Sequence, residues 1–269
     1  MKRLASIITL CAVVLCAYAQ TYGYKVAKDV SYQLAAGADA YRKERCVLDV
    51  YTPAKAADKS LPVVIFFHGG SLNSGQKTLP EALRNQNFVV VTPNYRLSPK
   101  VQSPTYVEDA AEAVAWTVKH IAEYGGDPKE IIVTGHSAGG YLVLMLALDK
   151  QYLGKWGVDA DSMAAYAPLS GQTCTHYTIR KERGLDASIP VIDDMAPLAH
   201  ARKLGCPMIL ATGDRNLEMT ARYAENQHMQ ALLNAKGNNV PLYELQGLGH
   251  VPMINPSLQF VIQLAKKLK

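Results

Sequence analysis

The sequence predicts an α/β protein: a mostly parallel, twisted sheet with helices on both faces and a small cap insertion. Three observations carry this. Pro62–Phe67, Phe88–Val91 and Ile131–Val133 are almost wholly apolar runs, too short for helices and soon followed by Gly, Pro or Asn, as strands buried on both faces are. Between the second and third, Val107, Ala110, Ala111, Val114, Val118 and Ile121 recur at helical spacing, so strand and helix alternate as in a parallel sheet with crossover helices. Gly135-His136-Ser137-Ala138-Gly139-Gly140 is entered from Ile131-Ile132-Val133 and left through Tyr141–Leu146, which gives the order strand, tight turn, helix.

Residues 1–19 have the form of an export signal. Lys2 and Arg3 precede an apolar run from Leu4 to Ala17, and Ala17-Tyr18-Ala19 is a small-x-small cleavage site ahead of Gln20. The run is too short to span a bilayer comfortably, so a signal peptide removed on export is expected, with the mature protein periplasmic or secreted. An uncleaved anchor and a lipoprotein attached through Cys16 are the alternatives, and the bulk of Leu15 opposes the second. One domain over residues 20–269 accounts for the rest, because a chain of this length with 49% hydrophobic residues can bury a single large core. Loss of Lys2 and Arg3 leaves 26 basic against 23 acidic residues, a net charge of about +3, and nothing in that balance points to nucleic acid. Export also removes Cys11 and Cys16. Cys46, Cys174 and Cys206 remain, an odd number without close spacing, which indicates neither a disulfide framework nor a zinc site and leaves a Cys174–Cys206 bridge as an option.

Val47-Leu48-Asp49-Val50-Tyr51 alternates apolar and polar residues and predicts a half-exposed strand ending at Pro53. After the first two apolar strands a helix is expected over Tyr106–Tyr124, closed by Gly125-Gly126-Asp127-Pro128. The second half continues with strands at Met163–Ala167 and Met208–Thr212, a helix over about Thr220–Lys236, a strand at Pro241–Leu245 and a final helix from Pro256 onward. Ser170–Lys203 breaks the pattern, with little periodicity, two prolines and many polar residues. An insertion there would project over the carboxyl ends of the strands, where open sheets bind ligands, and is read as a small cap or lid at 170–203, the alternative being an ordinary surface excursion.

Acyl transfer needs a nucleophile, a base, an acid that holds the base, and donors for the developing oxyanion. Ser137 in the Gly-x-Ser-x-Gly turn is the candidate nucleophile, with small residues on either side where strand and helix crowd together. His250, after the last strand and before the last helix, is the candidate base. His68-Gly69-Gly70-Ser71 follows the Phe67 strand, and its glycines let backbone amides approach a ligand closely. Gly69 and Gly70, with the amide of Ala138, are the candidate oxyanion donors, while His68 is expected to fix its loop by hydrogen bonding.

His68-Gly69-Gly70, Asn94-Tyr95-Arg96-Leu97, Tyr124-Gly125-Gly126-Asp127-Pro128, the Ser137 hexapeptide and Gly249-His250 occur in this order across about residues 61–252. In these motifs the chain resembles the α/β-hydrolase superfamily, specifically its esterase/lipase group with an HGG oxyanion loop. The resemblance implies hydrolysis through an acyl-enzyme on Ser137, water attacking in the second half-reaction, and neither a metal nor an organic cofactor.

One departure concerns the acid. In similar sequences the strand before it ends in Gly and an Asp follows two or three residues later, but here Arg215 and Asn216 occupy those places. Asp214 follows Gly213 directly and is early for the role. Glu218 is late, with a longer side chain, and is favoured, with Asp214 as its rival; either would otherwise be a solvated loop charge beside Arg215. Arg96 and Asp109 read as a structural pair fixing a loop, and Trp116 and Trp156 as packing residues. His176 and the Arg180-Lys181-Glu182-Arg183 run lie in the cap, as a solvated face or as substrate contacts.

The expectation is therefore an exported serine carboxylic-ester hydrolase. No long apolar lid helix is visible, which favours short acyl groups, and family and export together imply acetyl or feruloyl esters of plant or dietary carbohydrate. The partner would be a small-molecule or carbohydrate-linked ester, without stable membrane insertion and with the oligomeric state open. Aryl formamidases share the HGG loop and the short build, so an amide-cleaving formamidase or small peptidase with the same triad is an alternative. A catalytically silent α/β-hydrolase that binds a ligand is another, suggested by the irregular acid position.

Overall fold

The computed structural model describes residues 23–34, 37, 39–55 and 60–268. The signal-like segment, with Cys11 and Cys16, lies outside the described residues. The strands are β1 (Tyr24–Ser31), β2 (Val47–Pro53), β3 (Leu61–Phe67), β4 (Val89–Pro93), β5 (Gly126–His136), β6 (Ala165–Leu169), β7 (Leu210–Gly213) and β8 (Leu242–Leu245). They form one eight-stranded sheet in the order β1-β2-β4-β3-β5-β6-β7-β8. The β1–β2 and β2–β4 pairs are antiparallel and every later pair is parallel. The helices are α1 (Ala40–Arg45), α2 (Thr105–His120), α3 (Ala138–Leu148), α4 (Lys150–Gly154), α5 (Tyr177–Glu182), α6 (Arg222–Ala235) and α7 (Ile254–Lys267).

Alternation along the central strands divides the core into two layers. Val63, Ile65 and Phe67 of β3 pack with residues of α2, α3 and α6, whereas Val64 and Phe66 pack with Leu258, Val261 and Ile262 of α7. Both faces are covered, which is why the runs read from the sequence carry no polar alternation. All eleven residues of α3 are buried, so this helix is apolar on every side. Truncating one of its leucines, such as Leu144, to Ala would cost about 2–5 kcal/mol.

The structure corrects several expectations. β2 is not half-exposed: β1 and β4 flank it, and Asp49 is buried because Lys77 Nζ meets its Oδ1 at 2.5 Å. β1, a mixed-polarity edge strand, and the short α1 were not anticipated from their composition. β5 is eleven residues long rather than three, because pairing with β3 extends back to Gly126. The helix expected over 106–124 ends at His120, and Ile121–Tyr124 tightens into a 3-10 turn. β7 starts at Leu210, since Met208 makes only an isolated bridge to Tyr166. Cys46, Cys174 and Cys206 are all free, and burial pushes their thiols up to about 12, 11 and 12.

The carboxyl ends of β3, β5, β6, β7 and β8 lead directly into His68, Ser137, Ser170, Asp214–Glu218 and Leu248–His250, so parallel register places five loops on one side of the sheet. The 170–203 segment is built into this end. Residues 170–180 are buried except for half-buried Tyr177, and 181–190 are largely exposed. Among the described residues no helix is long and apolar enough to cross a membrane.

Candidate active site

Ser137 sits between the last residue of β5 and the first of α3 with φ 56° and ψ −116°, a conformation that non-glycine residues rarely adopt. The crowding that imposes it is visible at its neighbours. A Cβ added at Gly135 would lie 2.7 Å from the Gly139 carbonyl carbon, and one at Gly139 would lie 2.7 Å from that of Phe67. The backbone is anchored by Ser137 N–H donating to Leu169 O at 2.9 Å.

The turn brings Ser137 Oγ to 2.9 Å from His250 Nε2. On the other side of the ring, His250 Nδ1 donates to Glu218 Oε1 at 2.5 Å. With Nδ1 carrying the proton toward a carboxylate, Nε2 is the acceptor for the serine hydroxyl. The Glu218 side chain is fully buried. Burial alone would raise its carboxyl, but hydrogen bonds from His250, the Met219 amide and Ser170 outweigh that and hold it down at about 2. The Gly213 amide also donates to Oε2, at 3.0 Å.

Asp214 does not reach His250. Its Oδ1 accepts from Asn216 N at 2.9 Å and its Oδ2 from Gly247 N at 2.8 Å, so it pins the loop after β7 to the loop after β8. These amides hold its carboxyl below the usual range. Arg215, next to Asp214 in the chain, pairs with Glu244 at 2.6 Å.

Gly69 lies against Ser137: a Cβ there would stand 3.3 Å from Ser137 Cβ. Gly70 takes φ 111°, closed to other residues, and a side chain would strike Ser74. The Gly69 and Gly70 amides donate to no main-chain acceptor among the described residues, and the Ala138 amide, in the first turn of α3, has no intrahelical partner. The loop is braced from below. Tyr95 Oη donates to His68 O at 2.9 Å, and the His68 ring stacks on Tyr95 with centroids 4.4 Å apart. His68 Nδ1 is 2.6 Å from Gly69 O, and burial lowers its imidazole to about 4, so it is neutral. From the insertion, Tyr177 Oη donates to Ser71 Oγ and Thr178 Oγ1 to Ser71 O at 2.5 Å.

Three further residues complete the surroundings without having been singled out from the sequence for this purpose. His136 Nε2 is 2.8 Å from the His250 carbonyl, and burial followed by repulsion from His250 lowers its imidazole to about 3. Ser170 Oγ donates to Glu218 Oε2 at 2.8 Å, and the guanidinium of Arg222 donates to Ser170 O. The available signal was positional, since Ser170 stands at the carboxyl end of a strand beside the one that carries Ser137. Among the described residues no three His, Cys, Asp or Glu side chains converge as a metal ion would require.

The sheet order, the strained serine turn between strand and helix, and the histidine after the last strand define the α/β-hydrolase fold. Solved structures agree in shape. A truncated form of a carbohydrate esterase from gut microbiota superposes with a TM-score of 0.73 at 15% identity, covering 92% of this chain and 97% of that one. Esterase B of Lactobacillus rhamnosis superposes at 0.71 with 19% identity, covering 91% and 87%. In sequence, the family described as BD-FAE matches residues 48–174. Esterase LipC of Mycobacterium tuberculosis is 26% identical over 227 residues, 76% of this chain and 56% of LipC. Carboxylesterase NlhH of the same species is 36% identical over 103 residues, 36% of this chain and 32% of NlhH. The chain thus spans little more than half the length of the first of these relatives and a third of the second. The chain has the α/β-hydrolase fold, and over these segments its sequence is similar to esterases of that fold.

Proposed function

We propose that this protein hydrolyses carboxylic esters through an acyl-enzyme on Ser137. The observation that carries the reading is the unbroken relay from Ser137 Oγ to His250 Nε2, 2.9 Å, and from His250 Nδ1 to Glu218 Oε1, 2.5 Å. His250 takes the hydroxyl proton as Ser137 attacks the ester carbonyl, and ionised Glu218 stabilises the imidazolium that results. The amides of Gly69, Gly70 and Ala138 receive the oxyanion. As the tetrahedral species collapses, His250 Nε2 protonates the leaving alkoxide. Water then attacks the acyl-enzyme by the same route in reverse. A ligand-binding protein without turnover has no need of this relay, and the contact of Glu218 with His250 supports the enzyme over the silent reading.

For the substrate we propose short acyl esters, acetyl or feruloyl, carried on carbohydrate. The likeness to a carbohydrate esterase from gut microbiota and the BD-FAE match support it. So does the buried start of the 170–203 insertion, read here as a fixed wall on the oxyanion loop rather than a swinging lid. Export through residues 1–19, to the periplasm or beyond, is part of the same proposal and suits a polymeric substrate. Ser137→Ala should abolish hydrolysis of p-nitrophenyl acetate and labelling by a fluorophosphonate while leaving the circular dichroism spectrum unchanged. Undiminished turnover in that variant would remove the reading. A preference for N-formyl aromatic amines over acetyl esters would move the activity to amide cleavage.

A further inference from the structure

We propose that Ser170 is a positioning residue for the Glu218–His250 pair, its hydroxyl holding the second carboxylate oxygen so that the first stays aimed at the imidazole. The inference rests on the ester-hydrolase reading of Ser137. Ser170 is fully buried at the carboxyl end of β6. Its Oγ donates to Glu218 Oε2 at 2.8 Å and stands 3.1 Å from His250 Nδ1, so one hydroxyl touches both partners of the charged pair.

The site around Ser170 is built to keep that hydroxyl in place. Its φ of 49° is a left-handed conformation that an L side chain holds only when its surroundings enforce it. Ser170 N donates to Ala211 O at 2.7 Å, the Arg222 guanidinium donates to Ser170 O, and Asn226 Nδ2 donates to Gly171 O at 2.9 Å. Arg222 is itself only 3% exposed, and this buried cation is directed at a main-chain carbonyl. The preceding residue, Leu169, accepts the hydrogen bond from Ser137 N. Ser170 is therefore rigidly connected to the nucleophile at one end of the relay and touches the acid at the other.

A carboxylate can turn about its last carbon–carbon bond. Oε1 is held by His250 Nδ1 and Met219 N, and Oε2 by Gly213 N and Ser170 Oγ. Removing the hydroxyl leaves Oε2 with one donor in a buried place, frees the carboxyl to rotate, and loosens the tautomer that presents Nε2 to Ser137.

The test uses Ser170→Ala and Ser170→Gly in the full chain, assayed on p-nitrophenyl acetate and by the low-field proton signal of the His250–Glu218 hydrogen bond. Both variants should lose about tenfold in kcat, the scale of a hydrogen bond to a charged group, with KM within about twofold of wild type. In both, the low-field signal should move upfield, which a remote packing defect would not produce. Wild-type kcat in Ser170→Ala, a loss in Ser170→Ala that Ser170→Gly restores, or a loss with the signal unmoved would each overturn the proposal. Should Ser170→Ala fail to fold, Ser170→Gly, which tolerates the positive φ, carries the same readouts. An active Ser137→Ala would sink the ester-hydrolase reading itself, whereas an inactive Ser137→Ala beside a fully active Ser170→Ala would sink only the role of Ser170.

Discussion

Asp214 and Glu218 are four positions apart and are held in unlike ways. The Asp214 oxygens are taken by two loop amides, so this carboxylate joins loops, and the longer Glu218 side chain passes inward to His250. Glu218→Gln should therefore lower kcat by about 10³–10⁴-fold, as loss of the charge that fixes the imidazole tautomer does in a serine triad. Asp214→Asn should leave kcat close to wild type. Steady-state kinetics on one acetyl ester decides between them, and the reverse ranking would restore Asp214 as the acid. Ser137 carries a second expectation. Its φ of 56° and ψ of −116° suit glycine, and strain of this kind costs about 1–3 kcal/mol. After the entropy that glycine loses on folding, Ser137→Gly should be more stable than wild type by about 1 kcal/mol, while Ser137→Ala should not. Equal urea midpoints for the two variants would show that the turn is relaxed.

Between elements, the loop after β4 is tied to α2 by Arg96 and Asp109. Arg96 Nε and its own amide both donate to Asp109 Oδ2 at 2.9 Å, and a terminal nitrogen donates to Oδ1 at 2.7 Å. The same loop supports the end of β3 and the turn that follows it, through Tyr95 Oη on His68 O and through Ser98 N on Leu72 O at 2.9 Å. Asp109 is buried, so Asp109→Ala would leave a guanidinium unpaired at a cost of about 3–5 kcal/mol. Urea unfolding should register that loss, and kcat should fall with KM little changed, because the shift is passed to the Gly69 and Gly70 amides. This pair was legible from residue type and order, as were the parallel strands, the serine turn and His250, since each depends on local pattern. β1 was not legible, because an edge strand such as Tyr24–Ser31 can mix polar and apolar residues. The choice of Glu218 over Asp214 was only partly so, because it turns on which side chain the loop points inward. Ser170 was missed altogether: its role depends on the long-range approach of β6 to β7 and α6, which no periodicity encodes.

Across the whole molecule, three histidines are folded in neutral. Burial lowers His68 to about 4 and His136 to about 3, and it lowers His176 well below the ordinary value. The unfolded chain returns each to about 6.5. Above that pH both states are neutral at these positions and stability does not change with pH on their account. As pH falls through 6.5 the unfolded chain binds protons that the native state refuses, so stability drops, and it goes on dropping until the folded values are reached. Glu218, held at about 2 against an ordinary value near 4.5, adds a loss of the same sign below pH 4.5. The urea midpoint should thus be nearly level from pH 8 to 7 and decline steadily from 6.5 to 4, with close to three protons taken up on unfolding at pH 5 from the histidines alone. His176→Gln, whose amide oxygen can replace Nδ1 as the acceptor for Thr178 N, should remove one of the three. Midpoints that stay level between pH 7 and 5 would mean that these rings are charged, or reached by water, in the native protein.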